Sequence, residues 1–388
     1  MDSERITPLG IVDFREDRRR FGIRHDDRRF HMAIIGRTGT GKSTMLSTMI
    51  RSDAESCEGF ALLDPHGDLA QTAAGMVPAW RQKDFVYFDP ATPGNGVTFN
   101  PLEVASTEQR HLVVSDLLAI FSRIWEKNWG PRLEYILRNV LMALTERPGH
   151  TLLDALRILN DTEFRKEIVG EIEDEIVRGF WEREFERYSK SYRTEAVAPI
   201  QNKLGEFLVN PVLRQVFADP KGTIRPREIM DTAGILIADL SVGRLGRDAS
   251  TLLGALLVGK FGLAALSRAD TPIGERRDFY LYVDEFPSFA TSNFATILAE
   301  ARKYRLSLVV AMQYFDQLDL KLAGALLGNV GNLIVFRVGV KDAAMLAKEL
   351  FPVFNAEDLV SQPYYRACVR LVINGMPARP FSARVVRE

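Results

Sequence analysis

The chain has 388 residues, of which 46% are hydrophobic and 26% charged, with a formal net charge of -1; this is a globular balance long enough to bury a large core, and it neither supports nor excludes a nucleic-acid partner. Its two cysteines, Cys57 and Cys368, lie far apart and outside any CxxC or Cys/His cluster, which excludes a structural zinc site and a disulfide framework and fits a reducing cytoplasm. The N-terminal stretch MDSERITPLGIVDFREDRRR carries charges where a signal peptide would be apolar, so none is expected in it.

In chain order, REDRRRFGIRHDDRR (15–29) mixes both signs and reads as a solvated or inter-subunit segment. HMAIIG (31–36) predicts a short buried strand and GKSTMLSTMI (41–50) the helix after it; GFALLDPHG (59–67) and FVYFDP (85–90) predict two more strands. Compact apolar strands alternating with helices imply a parallel sheet. From about 103 to 220 the apolar residues take helical spacing with long charged faces, as in HLVVSDLLAIFSRIW and LEYILRNVLMALTE, which predicts an all-α insertion. Strands resume with GILIADL (234–240), FYLYVDE (279–285), LSLVVAMQ (306–313), NLIVFRVG (332–339) and ACVRLVING (367–375). The expected architecture is α/β: a mostly parallel core built from 1–102 and 221–388, interrupted by an all-α domain at 103–220. The apolar stretch LLGALLVGKFGLAAL (252–266) is too short to span a bilayer and holds Lys260, so it reads as a buried helix. A cytoplasmic protein is expected, with any membrane recruitment left to a partner.

Gly36-Arg37-Thr38-Gly39-Thr40-Gly41-Lys42-Ser43 fits GxxxxGK[ST], the Walker A phosphate loop, between a predicted strand and a predicted helix. Glycines let the backbone curl and aim N–H groups at phosphates, and the helix N-terminus adds partial positive charge. Lys42 is expected to reach the β- and γ-phosphates, Ser43 to ligate Mg²⁺, and Thr44 to meet the α-phosphate. The motif specifies a nucleoside triphosphate; the absence of a guanine-reading N/TKxD tetrapeptide leans toward ATP.

FYLYVDE ends a buried strand in Asp284-Glu285, the pattern of a Walker B strand. There Asp284 would orient Mg²⁺ and Glu285 would act as general base toward water. Gln313 ends the next predicted strand and is a candidate to sense the γ-phosphate. Arg302, between those two strands, is the first candidate for an arginine finger supplied to a neighbour, and Arg337 in NLIVFRVG the second. Asp64, His66 and Asp68 have metal-like spacing, but two acids and one histidine at a strand end more often cap a turn into a helix.

Taken together, HMAIIGRTGTGKSTML, LLDPHGDL, FNPLE, WGPRLEYILRNVLMAL, LYVDEFPSFA, LAEARKYRLSLVVAMQY, GNVGNLIVFRVG and FPVFNAEDLVSQPYYRACVRL resemble the HerA–FtsK superfamily of P-loop ATPases, and within it the TraD/TraG-like coupling proteins of conjugation and type IV secretion. The resemblance covers nearly the whole chain. It implies a RecA-like core, a homo-hexameric ring with ATP between subunits, DNA pumped through the pore, and a helical domain that meets DNA or a relaxase. It also favours Arg302 as the finger. Anchored members carry transmembrane helices that are not seen here, so a soluble form is expected, with a secretion channel or membrane anchor as a separate partner. The alternatives are a HerA-like cytoplasmic DNA-processing translocase, a secretion-assembly ATPase acting on protein, and a nucleotide-gated interaction module.

Overall fold

The computed structural model describes residues 5–92, 94, 96–104 and 107–386. They divide into two compact units, one of Met1–Phe88, Arg227–Ser241 and Arg268–Glu388, the other of Asp89–Pro226 and Val242–Ser267.

The first unit carries thirteen strands: β1 (Ile6–Val12), β2 (Arg20–Arg24), β3 (Met32–Ile35), β4 (Gly59–Asp64), β5 (Phe85–Phe88), β6 (Ile235–Asp239), β7 (Phe279–Val283), β8 (Leu306–Met312), β9 (Asn332–Val335), β10 (Arg366–Arg370), β11 (Val372–Ile373), β12 (Met376–Pro377) and β13 (Phe381–Arg384). Eleven form one sheet in the order β2-β1-β13-β10-β9-β3-β8-β7-β4-β6-β5, and β11 and β12 form a separate ribbon. The seven strands from β9 to β5 run parallel. Every residue of β3, β4, β6, β7, β8 and β9 is buried, which is why these strands read as predominantly apolar runs: helices cover both faces of a parallel sheet. The remaining four strands extend one edge in antiparallel fashion.

The structure refines the sequence reading in two places. Segment 15–29 is largely exposed through Arg20, as expected of a solvated stretch, but its second half forms β2 and a short helix, His25–Arg28, whose His25, Asp27 and Arg28 are buried. ACVRLVING is two strands, β10 then β11. β2 and β10 are short strands of mixed exposure whose charged ends interrupt the apolar pattern.

The second unit is helical among its described residues. Its main helices are Arg110–Ile124, Pro131–Leu144, Asp154–Asn160, Thr162–Glu171, Lys190–Val209, Pro211–Val216 and Arg247–Ser267. Local chemistry starts them: Pro131 and Pro211 occupy first turns, and the Asp161 carboxylate accepts from the N–H groups of Glu163 and Phe164. Segments 89–102, 221–226 and 242–267 group with this unit, whereas the sequence boundaries placed them in the core. The physical reason is clearest for Arg247–Ser267, which is apolar on nearly every side, so its periodicity cannot tell which layer it joins. It packs on Arg110–Ile124. It has the length and apolarity of a membrane span, yet 78% of its apolar window is buried inside the protein. The Lys260 ammonium donates to the main-chain carbonyl of Glu103, and burial lowers its pKa to about 8.

Candidate nucleotide site

β3 ends at Ile35 and the chain turns through Gly36–Gly41 into the helix Lys42–Glu55. The Gly36 N–H donates to the Met312 carbonyl of β8 at 3.1 Å, and a Cβ at Gly36 would fall 2.5 Å from the Phe336 Cβ, so only glycine fits. The loop is held from inside: the Thr40 hydroxyl donates to the Arg37 carbonyl at 2.6 Å, and the Arg37 N–H donates to the Arg337 carbonyl at 2.9 Å. Gly41, with φ 126°, ends the turn and offers no side chain to cap the helix. The first-turn N–H groups of Lys42, Ser43 and Thr44 have no partner four residues back in the helix, which suits them to an anion. The Lys42 ammonium folds onto the Gly36 carbonyl at 2.7 Å. Burial lowers its pKa, against the pull of Glu285 and Asp284.

Asp284 follows β7, and its N–H donates to the Leu63 carbonyl of β4 at 3.0 Å. Its carboxyl is 5% exposed. Burial, with Asp64 and Glu285 beside it, raises its pKa to about 6. Glu285 adopts a left-handed backbone, φ 47°. Its burial is outweighed by hydrogen bonds from His66 and Gln313 and the charge of Lys42, which lower its pKa. His66 Nε2 lies 3.9 Å from the Glu285 carboxylate, and that contact raises the imidazole pKa. Asp64 accepts from the N–H groups of His66 at 2.8 Å and Ala70 at 2.9 Å, so it caps the turn into the helix Asp68–Met76.

One cavity of about 260 Å³ is lined by Thr38, Gly39, Lys42 and Ser43 from the loop and by Asp284, Glu285 and Gln313 from the strand ends. A hollow of about 700 Å³ shares Ser43, Thr44 and Asp284 and runs on past Thr48 and Arg51. The two arginine candidates lie apart. Arg302 stacks 3.4 Å from the Phe30 ring centroid, just ahead of β3 and so at the opposite end of that strand from the phosphate loop. Arg337 adjoins the loop in the same chain, its guanidinium 4.3 Å from the Tyr364 ring centroid. Sequence reasoning assigned no role to Tyr365. It lines the smaller cavity, and its N–H donates to the Thr40 carbonyl at 2.8 Å from a left-handed backbone, φ 62°. No motif signals it, because its position depends on β10 folding back beside the loop.

Residues 24–243 match the family model of the HerA helicase central domain, and residues 278–350 match the TraM recognition site of TraD and TraG. No curated protein matches the chain. Among solved structures, the unbound bacterial conjugative coupling protein TrwB superposes with a TM-score of 0.72 at 16% identity, covering 100% of this chain and 91% of that one. TrwB with the ATP analogue ADPNP gives 0.69 at 16% identity, with the same coverage. VirB4 of Thermoanaerobacter pseudethanolicus gives 0.63 at 16% identity, covering 98% and 96%. These likenesses show a shared fold.

Proposed function

We propose, from the premise that this chain belongs to the family of the HerA helicase central domain, that it is an ATP-hydrolysing motor that moves DNA through a ring of its own copies, in a conjugation or type IV secretion-like system. The observation that carries the reading is the convergence of Lys42 and Ser43 with Asp284 and Glu285 on one cavity, although some 240 residues separate them. Nucleotide-bound TrwB, with ADPNP, with GDPNP or with ADP and Mg²⁺, shares the fold and supports a purine nucleoside triphosphate with Mg²⁺ as the ligand, of which ATP is the one the sequence favours.

Lys42 leaves the Gly36 carbonyl for the β- and γ-phosphates, while the first-turn N–H groups hold the phosphate oxygens. Glu285 takes the proton of the attacking water, oriented by His66 and Gln313. Asp284, buried beside Asp64 and Glu285 and facing Lys42, lines the cavity with the Ser43 hydroxyl; these two residues would hold Mg²⁺, which would neutralise charge building on the phosphates. Arg302 completes a neighbouring subunit's site. The helical unit meets DNA or a relaxase, and the stretch at 278–350 offers a docking surface for a partner protein.

ATP turnover with and without DNA tests the motor. Several-fold stimulation supports DNA translocation; no response favours an ATPase acting on protein. Lys42→Ala and Glu285→Gln are both expected to abolish turnover, with Glu285→Gln still binding ATP. Undiminished hydrolysis by Glu285→Gln would refute its role as base.

A further inference from the structure

Arg28, Asp53, Tyr280 and Tyr282 form a buried cluster on the sheet face beneath the phosphate-loop helix, and the reaction described above makes no use of it. The Arg28 guanidinium donates to both Asp53 oxygens, at 2.5 and 2.9 Å, to the Tyr282 hydroxyl at 2.7 Å and to the Thr7 hydroxyl at 2.8 Å. The Tyr282 hydroxyl donates to Asp53 at 2.5 Å. The Arg28 guanidinium carbon lies 3.4 Å from the Tyr280 ring centroid. Arg28 and Asp53 are both about 1% exposed at the side chain.

The placement of these groups carries the argument. The buried residues of the helix Lys42–Glu55 are Lys42, Met45, Leu46, Met49, Ile50, Asp53 and Ala54, a single stripe with its two charged members at opposite ends. On β7, Tyr280 and Tyr282 point to the same face as Asp284, because side chains alternate along a strand. The helix stripe therefore runs along the strand stripe, with Lys42 facing Asp284 at one end and Asp53 bonded to Tyr282 at the other.

We propose that the Arg28–Asp53–Tyr282 cluster is a positioning device that locks the phosphate-loop helix to β7 and so fixes Lys42 and Ser43 against Asp284 and Glu285. A purely apolar contact would let the helix slide along the strand; a bidentate ion pair with a shared hydroxyl has one register. The proposal rests on the nucleotide-hydrolysis reading of the site.

Tyr282→Phe removes one hydroxyl and leaves the ion pair, so the variant folds. Its kcat is expected to fall roughly tenfold or more, as for small misplacements of reacting groups, with KM for ATP within about twofold of wild type. The Mg²⁺ concentration that half-saturates the thermal shift given by ADP is expected to rise, a readout independent of turnover. Asp53→Asn should act in the same direction and more strongly. Arg28→Met with Asp53→Leu removes both charges together and keeps the variant folded should Asp53→Asn unfold. Wild-type protein without ATP turnover sinks the functional reading and takes the proposal with it. Given wild-type turnover, an unchanged kcat and Mg²⁺ midpoint in folded Tyr282→Phe and in the double variant overturns the positioning role alone.

Discussion

His31 sits fully enclosed between the phosphate-loop strand and its neighbours. It accepts from the Leu308 N–H at Nδ1, at 3.1 Å, and its Nε2 lies 3.1 Å from the Leu298 carbonyl, so the neutral ring with hydrogen on Nε2 satisfies both partners. A second proton on Nδ1 would face that N–H. Burial lowers the imidazole pKa from 6.5 to about 4, opposed by the Leu298 carbonyl and helped by Arg302. A folded value below the unfolded one means that the unfolded chain binds the proton first. The stabilising contribution is thus fully present above pH 6.5 and is lost as pH falls toward about 4, amounting to about 3 kcal/mol. Urea unfolding between pH 7 and 4 should show wild type losing that much more stability than His31→Asn; equal slopes would exclude the assignment. The same residue illustrates what a sequence conceals. The convergence of Lys42, Ser43, Asp284 and Glu285 on one cavity was legible because contiguous loop and strand-end patterns mark them. His31, Arg28 and Asp53 sit in no motif, and their partners are set by strand order alone.

Helix elements make opposite demands on glycine, and the two long helices of the second unit separate them. A Cβ on Gly259, in the helix Arg247–Ser267, would fall 2.0 Å from the buried Asp116 carboxylate oxygen of the facing helix Arg110–Ile124. A Cβ on Gly205, in Lys190–Val209, would meet nothing within 4 Å. Gly205→Ala should stabilise by about 1 kcal/mol through helix propensity. Gly259→Ala gains the same propensity but displaces Asp116, and should destabilise by about 1–2 kcal/mol net. Chemical denaturation of the two variants checks the signs; stabilisation by Gly259→Ala would show that the two helices do not touch there. The parallel strands were readable for a related reason of packing, since burial on both faces leaves β3, β4, β7 and β8 mostly apolar. The edge hairpin β1–β2, with Pro8 and Gly10 in its first strand and arginines at both ends of its second, carries no such signal, and the β1–β2 pairing defines it.

At the scale of the whole molecule, the two arginine candidates differ in where they stand relative to their own site. Arg302 is stacked on Phe30 at the amino end of β3, and the phosphate loop leaves the carboxyl end, four residues or roughly 13 Å further on. An arginine held on that ring does not reach its own chain's γ-phosphate, so the proposed finger role would require a second copy. Arg337 accepts from the loop backbone of its own chain through its carbonyl, so a role for it would be played in its own site. Subunit mixing separates these arrangements. Arg302→Ala is expected to bind ATP normally and to lose turnover by about 10³-fold, the size of effect an arginine finger carries. Added Lys42→Ala subunits, inactive themselves, bring an intact Arg302 to sites with an intact Lys42, so the mixture should recover activity. Arg337→Ala mixed with Lys42→Ala should stay inactive, because every site then lacks a residue of its own chain. A dead Arg302→Ala mixture in which both variants still assemble would remove Arg302 from the shared site, and rescue of Arg337→Ala would put that arginine there instead.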